Sequence, residues 1–416
     1  MPSQGGPHSQ NCHDTTSVTY AEHVNLPSPL SNKLAGFGSS IFAEMTALAV
    51  STNSINLGQG FPDYNGPHDV LSIATQNIAD GNNQYPPGTG LPDLRQAIAE
   101  HQQRFWNLTY DPTTEVLVTM GATEALAGAL LGTLNDGDEV IVFEPLFDTY
   151  AGCIALSGAA MVPITLQPSE SGRYEFDTND LHRAVTSRTR AILINSPHNP
   201  TGTVFSREEL QTIAHIACEN DLIVYSDEVY EHLVFDDAQH IPIATLPGMS
   251  ERTITISSGG KTFNTTGWKI GWACGPAPLI HATRMAKQLF TFAGGTPFQP
   301  AIAAGLRLPD SYFSSLALDL QTKRDILRTA LEAACLHPIT PEGTYFITCD
   351  IRERRTDGNG LQFCLELPQA CGIVAIPCSV LYAPNHESYG RHLVRFAFCK
   401  QADTLHQAAE RLGNWS

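Results

Sequence analysis

The chain has 416 residues, of which 42% are apolar and 16% charged, and a net charge of −18. That length can bury a large core and usually forms more than one domain, and the apolar fraction marks a globular protein rather than a disordered one. The acidic balance, with no Lys/Arg cluster, argues against nucleic acid as a partner, and no apolar run approaches the ~20 residues of a membrane helix.

The first 25 residues are polar and rich in Gly, Ser and His. They lack the basic start and apolar centre of a secretory signal. We expect a mobile tail over 1–27 and a cytoplasmic protein. Helical patterns then follow at 70–78, 93–105, 124–134, 149–156 and 207–219. They alternate with short apolar strands at 116–119, 139–143, 161–164, 191–194, 223–225 and 253–256. Such alternation predicts an α/β fold with a mostly parallel sheet flanked by helices. Beyond residue 309 the pattern changes. A long helix over 311–335 precedes strands at 345–349 and around Val374 and Val394, and a last helix begins at Asp403. This reads as a smaller α+β domain. The expected division is a large domain over 59–304 and a small one formed by 28–58 with 305–416. Ten cysteines include no C-x-x-C pair. Cys364, Cys371 and Cys378 recur every seven residues, but Pro368, Gly372 and Pro377 interrupt any helix there. Buried thiols are the expectation, not a metal site.

Four strand ends carry chemistry. Val116-Leu117-Val118 leads into Gly121-Ala122-Thr123, where a helix N-terminus and a hydroxyl make either an ordinary cap or an anion site. Ile192-Leu193-Ile194 runs into Asn195-Ser196-Pro197-His198-Asn199-Pro200-Thr201-Gly202, a rigid loop in which Asn199 is a candidate donor. Leu222-Ile223-Val224 ends in Asp227, with Tyr230 three residues on. A carboxylate there is costly without a partner; a pyridinium N–H suits it, and so does a helix cap. The run Thr253-Ile254-Thr255-Ile256 delivers Lys261 through Ser257-Ser258-Gly259-Gly260, and Lys269 follows eight residues later. An amine activated by burial and charge forms a Schiff base with an aldehyde, most commonly pyridoxal phosphate. Each motif alone has an ordinary structural explanation; their joint order does not.

Together these motifs resemble the fold-type I, class I/II aminotransferases that use pyridoxal 5′-phosphate. The matching residues are Gly121-Ala122-Thr123, Asn199-Pro200-Thr201-Gly202, Ser226 to Tyr230, Ser258 to Lys269, and Arg395 in Leu393-Val394-Arg395-Phe396. The likeness runs from about residue 41 to the C-terminus. Asn56 to Asp63 and Asn83 to Gly88 are similar to the kynurenine, glutamine and methionine aminotransferase branch, and some succinyldiaminopimelate aminotransferases share these signatures.

The resemblance implies roles. Lys261 becomes the Schiff-base lysine and Asp227 the partner of the pyridine nitrogen. Tyr230 and Asn199 donate to the ring oxygen, and Phe147 stacks on the ring. Gly121, Ala122, Thr123, Ser258 and Lys269 hold the phosphate. Lys269 stands where many members have Arg, and keeps the charge without the bidentate fork. Arg395 clamps the substrate carboxylate, with Gly60 lending a backbone N–H and Asn199 also touching the substrate. Tyr85 is lent across a homodimer interface to the neighbour's phosphate. The implied pocket wall includes Ile41, Phe42, Tyr64, Phe147 and Gly343 to Tyr345, which suits apolar or aromatic donors such as methionine, glutamine or kynurenine. A cysteine-S-conjugate β-lyase using the same residues, or a succinyldiaminopimelate aminotransferase, remains the alternative.

Overall fold

The computed structural model describes residues 30–38, 40–169 and 172–415. The expected tail over 1–27 lies outside the described residues. The larger sheet has seven strands: β1 (Val116–Met120), β2 (Glu139–Glu144), β3 (Ala160–Thr165), β4 (Thr189–Asn195), β5 (Ile223–Asp227), β6 (Thr253–Ser258) and β7 (Ile270–Cys274). Their spatial order is β1-β7-β6-β5-β4-β2-β3. The run from β3 to β6 is parallel throughout. β7 is antiparallel to both its neighbours, β6 and β1.

The sheet is apolar on both faces because side chains alternate along each strand. In β2, Val140 and Val142 join Leu126, Ala129 and Leu130 of the helix Gly121–Thr133. Ile141 and Phe143 point the other way and join Leu210, Ile213 and Ile216 of the helix Arg207–Glu219. That helix starts at a capping box, with Ser206 and Glu209 each bonding the other's backbone N–H. Leu210, Ile213, Ala214 and Ala217 are buried on it at helical spacing.

A second sheet has four antiparallel strands: β8 (His337–Ile339), β9 (Phe346–Asp350), β10 (Ile376–Pro377) and β11 (Leu393–Ala397), in the order β8-β9-β11-β10. One apolar cluster unites it with the long helix Asp310–Ala333, the last helix Ala402–Gly413 and the early helix Ile41–Ser51. Met45, Leu327, Leu331, Phe396 and Leu405 lie at its centre. The early segment is tied in further by Ile55–Asn56, which pairs in parallel with Ile373–Val374.

The alternation expected from the sequence is present, with several additions, among them the helix Gly360–Cys371, which runs through Pro368 where the sequence predicts an interruption. β7 is not among the expected strands, because its residues directly follow Lys269 and read as the tail of the lysine motif. The helix Ala277–Phe290 is also additional. Its Pro278 sits in the first turn, where proline is tolerated.

Candidate active site

The carboxyl ends of β4, β5 and β6 open onto one cavity of about 190 Å³. Ligand sites in open α/β sheets lie at such ends. Gly121, Ala122, Thr123, Phe147, Asn199, Asp227, Tyr230, Ser258, Lys261 and Lys269 all line it. Ten of the residues singled out in sequence therefore converge. Thr149, Tyr150, Asn195 and Thr266 line it too; Asn195 and Thr266 fall inside motifs without being singled out there, and no motif contains Thr149 or Tyr150.

Lys261 sits in a single helical turn, Gly259–Thr262, directly after β6. Its Nζ donates to the Tyr345 hydroxyl at 2.7 Å, and that hydroxyl donates to the Gly60 carbonyl at 2.6 Å. Burial pushes the Lys261 amine down to about 8, with Arg395 and Lys269 pushing the same way and Cys399 and Asp227 opposing. The residue is hemmed in by protein yet keeps part of its surface open to the cavity.

Asp227 ends β5 almost fully buried. Its carboxylate accepts from the Tyr150 hydroxyl at 2.6 Å and from the Val229 N–H at 3.3 Å. Burial nevertheless pushes its carboxyl up to about 6, against the lowering effect of those two hydrogen bonds. No Lys or Arg ion pair engages it among the described residues. Asn195 locks the same corner. Its side chain donates to the Asp227 carbonyl at 2.9 Å and accepts from the Asn199 N–H at 2.8 Å.

Behind Asp227 a buried polar cluster braces the segment that carries it. Glu228 accepts from Ser226 and contacts His240 at 3.0 Å. Glu231 accepts from Trp106 and Ser257, and burial pushes its carboxyl up to about 7. The ring nitrogens of His101 and His232 lie 2.7 Å apart, the spacing of a shared proton. Two ligands of one tetrahedral ion at about 2.0–2.1 Å would stand roughly 3.3 Å apart.

The loop after β1 meets Lys269. Gly121 has φ of 74°, and a Cβ on it would fall 3.0 Å from the Lys269 Cε and 3.1 Å from its Nζ. Only glycine adopts this backbone at no cost, and it brings the ammonium against the start of the helix Gly121–Thr133. That helix has no side-chain cap, so its first N–H groups and dipole favour an anion. Among the described residues Lys269 has no carboxylate partner.

Arg395 on β11 stands behind Asn199 rather than in the cavity wall. Its Nη1 donates to the Asn199 Oδ1 at 3.0 Å and its Nη2 to the Gly58 carbonyl at 2.9 Å. The guanidinium lies over the rings of Phe346 and Phe42, 3.9 and 5.1 Å from their centres. It is buried, its Nε has no partner, and no acid pairs with it among the described residues. Gly60 also lies outside the wall; a Cβ there would fall 2.4 Å from the Phe346 ring. Tyr85 lies outside as well, 82% exposed and edge-on to Phe292 at 6.1 Å.

Residues 52–412 match the family model for class I and II aminotransferases. The chain belongs to that family, and it is a transaminase. It is 49% identical over 387 residues to a probable N-succinyldiaminopimelate aminotransferase of Mycobacterium tuberculosis, covering 92% of this chain and 97% of the relative. It is 38% identical to the methionine aminotransferase of Escherichia coli, covering 94% and 99%. Human kynurenine–oxoglutarate transaminase 1 is 36% identical, covering 92% and 97%. The solved Mycobacterium tuberculosis N-succinyldiaminopimelate aminotransferase superposes with a TM-score of 0.90 at 48% identity, over 93% of this chain and all of that one.

Enzymes of this family depend on pyridoxal 5′-phosphate, and so does this one. Three features of the cavity suit that group. The close approach at Gly121, beside the unpaired Lys269, leaves a cationic cradle for a phosphate. Asp227 places a buried carboxylate in the wall, which would suit a ring nitrogen. Lys261 places an amine of lowered pKa in the wall, which would suit an aldehyde.

Proposed function

We propose that the enzyme transfers an amino group between an amino acid and a 2-oxo acid in a two-stage ping-pong cycle, with N-succinyldiaminopimelate as its amino-acid substrate. One observation carries the amino-acid part. A buried guanidinium, Arg395, has no acid partner among the described residues and is joined through Asn199 to the cavity holding Lys261 and Asp227. An uncompensated buried cation is costly, and a substrate carboxylate would satisfy it bidentately. The substrate itself is supported by the 49% identity to an enzyme named for it. A second reading has support of a different kind. The rings of Phe42 and Phe346 around Arg395 suit an apolar or aromatic donor such as methionine, glutamine or kynurenine.

When bound, pyridoxal phosphate supplies an aldehyde for the amino group and a ring that takes up the electron pair left at Cα. The protein's residues do the rest. Lys261 would hold the aldehyde through its amine and move the proton at the substrate Cα. A base must be partly free of its proton near neutral pH, and burial brings Lys261 toward that range. The Asp227 charge would keep the ring nitrogen protonated, with Tyr150 holding the carboxylate in line. Tyr230 and Asn199 donate to the ring oxygen. Phe147 covers the ring face. Gly121, Ala122, Thr123, Ser258 and Lys269 bind the phosphate. Gly60 adds its N–H to Arg395 at the carboxylate.

The chain is further read as a homodimer. Tyr85 lies away from its own chain's cavity and is exposed against Phe292, itself an exposed apolar residue. That placement suits donation to a partner's phosphate site. The division into a cofactor-holding part, 59–304, and a part that supplies Arg395, 28–58 with 305–416, follows the two sheets. A cytoplasmic setting accords with nine described cysteines that are all free.

A donor panel with 2-oxoglutarate and pyruvate as acceptors tests the proposal. The expected outcome is kcat/KM for N-succinyldiaminopimelate at least about tenfold above methionine, glutamine and kynurenine, a gap of about 1.4 kcal/mol. The reverse order establishes the second reading. Release of ammonia and oxo acid without an acceptor, from a β-substituted cysteine, would point to the β-lyase activity instead.

A further inference from the structure

We propose that Tyr345 is a positioning residue for Lys261, holding the free amine in the cavity whenever it is not bonded to the cofactor. The inference rests on the reading of Lys261 as the catalytic lysine. Tyr345 comes from a different part of the chain, 84 residues on, yet its hydroxyl is the acceptor for the Lys261 Nζ at 2.7 Å. The hydroxyl is itself aimed, because its own proton goes to the Gly60 carbonyl at 2.6 Å. With that proton committed, a lone pair is what it presents to the lysine.

The ring has little freedom to swing away. Tyr345 is 1% exposed, packs edge-on against Tyr230 at 5.2 Å and Phe346 at 4.8 Å, and lies 2.9 Å from where a Cβ on Gly60 would sit. Gly60 lies one residue past Gln59 from Gly58, whose carbonyl accepts from Arg395. The carboxylate clamp and the lysine holder therefore hang on the same short backbone segment. Arg395 is the group expected to engage substrate, so the segment it grips is well placed to feel substrate arrive.

Holding an amine by an acceptor favours its protonated form. Burial works the other way on Lys261, and Arg395 and Lys269 add to burial, while Asp227 and Cys399 oppose it. Tyr230, Cys399 and Arg395 are the charged or titratable groups that act on Tyr345 itself. Tyr345→Phe keeps the ring contacts and removes the hydroxyl, both as acceptor for Lys261 and as donor to the Gly60 carbonyl.

Two readouts test this. In the cofactor-free Tyr345→Phe protein, pH-dependent labelling of Lys261 by an amine-acylating reagent, read by peptide mass spectrometry, should have its midpoint displaced downward by about one pH unit. In the holoenzyme, kcat should fall about tenfold while the donor KM changes less than twofold. If the Phe variant does not fold, 3-fluorotyrosine at 345 keeps ring and hydroxyl but weakens the acceptor, and should move the midpoint in the same direction by less. Lys261→Ala, run alongside, separates the two levels: activity retained there removes the catalytic reading of the lysine, whatever Tyr345 does. An unmoved labelling midpoint in the folded Tyr345 variant, or a rise in KM without that displacement, would overturn the assignment of Tyr345.

Discussion

Replacing Asp227 by asparagine is expected to stabilise the cofactor-free protein while abolishing its turnover. Burial raises the Asp227 carboxyl from its ordinary 3.8 to about 6 in the folded chain. Each pH unit of such a difference corresponds to about 1.36 kcal/mol, so the folded state carries a handicap of about 3 kcal/mol once this group is ionised. The sign follows from the raised value. The neutral carboxyl's contribution is fully present below pH 3.8 and is lost as pH rises through 6. Asparagine has no such titration, and its carbonyl oxygen still accepts from Tyr150 or the Val229 N–H, the two donors Asp227 now uses. The variant should therefore exceed wild type by about 1.5 kcal/mol at pH 5 and about 3 kcal/mol at pH 8. Urea unfolding of both cofactor-free proteins across that range measures the gap. With cofactor bound, the cationic ring nitrogen would compensate the wild-type carboxylate and erase the advantage, while the variant's turnover should fall by at least about a hundredfold. Equal stability at pH 8, or a gap that does not grow with pH, would refute the assignment of Asp227 as an uncompensated buried acid awaiting a cationic partner.

Arg395→Lys should raise the donor KM about tenfold or more with a smaller effect on kcat, since lysine lacks the bidentate fork; steady-state kinetics with the preferred donor reads this, and an unchanged KM would displace Arg395 from the carboxylate. Lys269→Ala should weaken pyridoxal phosphate binding about tenfold, measured by fluorescence titration of the cofactor-free protein, with inorganic phosphate competing less well than in wild type. Mixing Tyr85→Phe with Lys261→Ala protein should give activity above both parents, because one site of each mixed dimer regains every group. No recovery after proven subunit exchange would mean that Tyr85 is not shared.

Sequence reveals those site residues that stand at strand ends inside contiguous motifs. Gly121, Asn199, Asp227 and Lys261 each follow an apolar run that could only be a buried strand, and the fold brings those ends together. Residues that reach the site from other elements are less legible. Tyr150 lies in the first turn of a helix that reads as a plain apolar segment, and nothing local signals that its hydroxyl meets Asp227, 77 residues away. Tyr345 enters the sequence reading only as pocket wall implied by the resemblance, does not line the cavity, and is not legible as the partner of Lys261, because that contact depends on packing the start of β9 against the lysine turn. The antiparallel β7 escapes notice for a related reason. Its hydrophobic run is short and abuts a functional motif, and direction in a sheet is decided by pairing rather than by pattern. The small sheet is legible as strands and helices, but its β10 is only two residues long, held by pairing with β11.

Sodium borohydride reduction of the holoenzyme, followed by proteolysis and mass spectrometry, tests the central claim most directly. If Lys261 is the Schiff-base lysine, a single peptide spanning it carries the reduced pyridoxyl group, and Lys269 stays unmodified. Label on Lys269 or on any other lysine, or none on a protein shown to contain the cofactor, would contradict it.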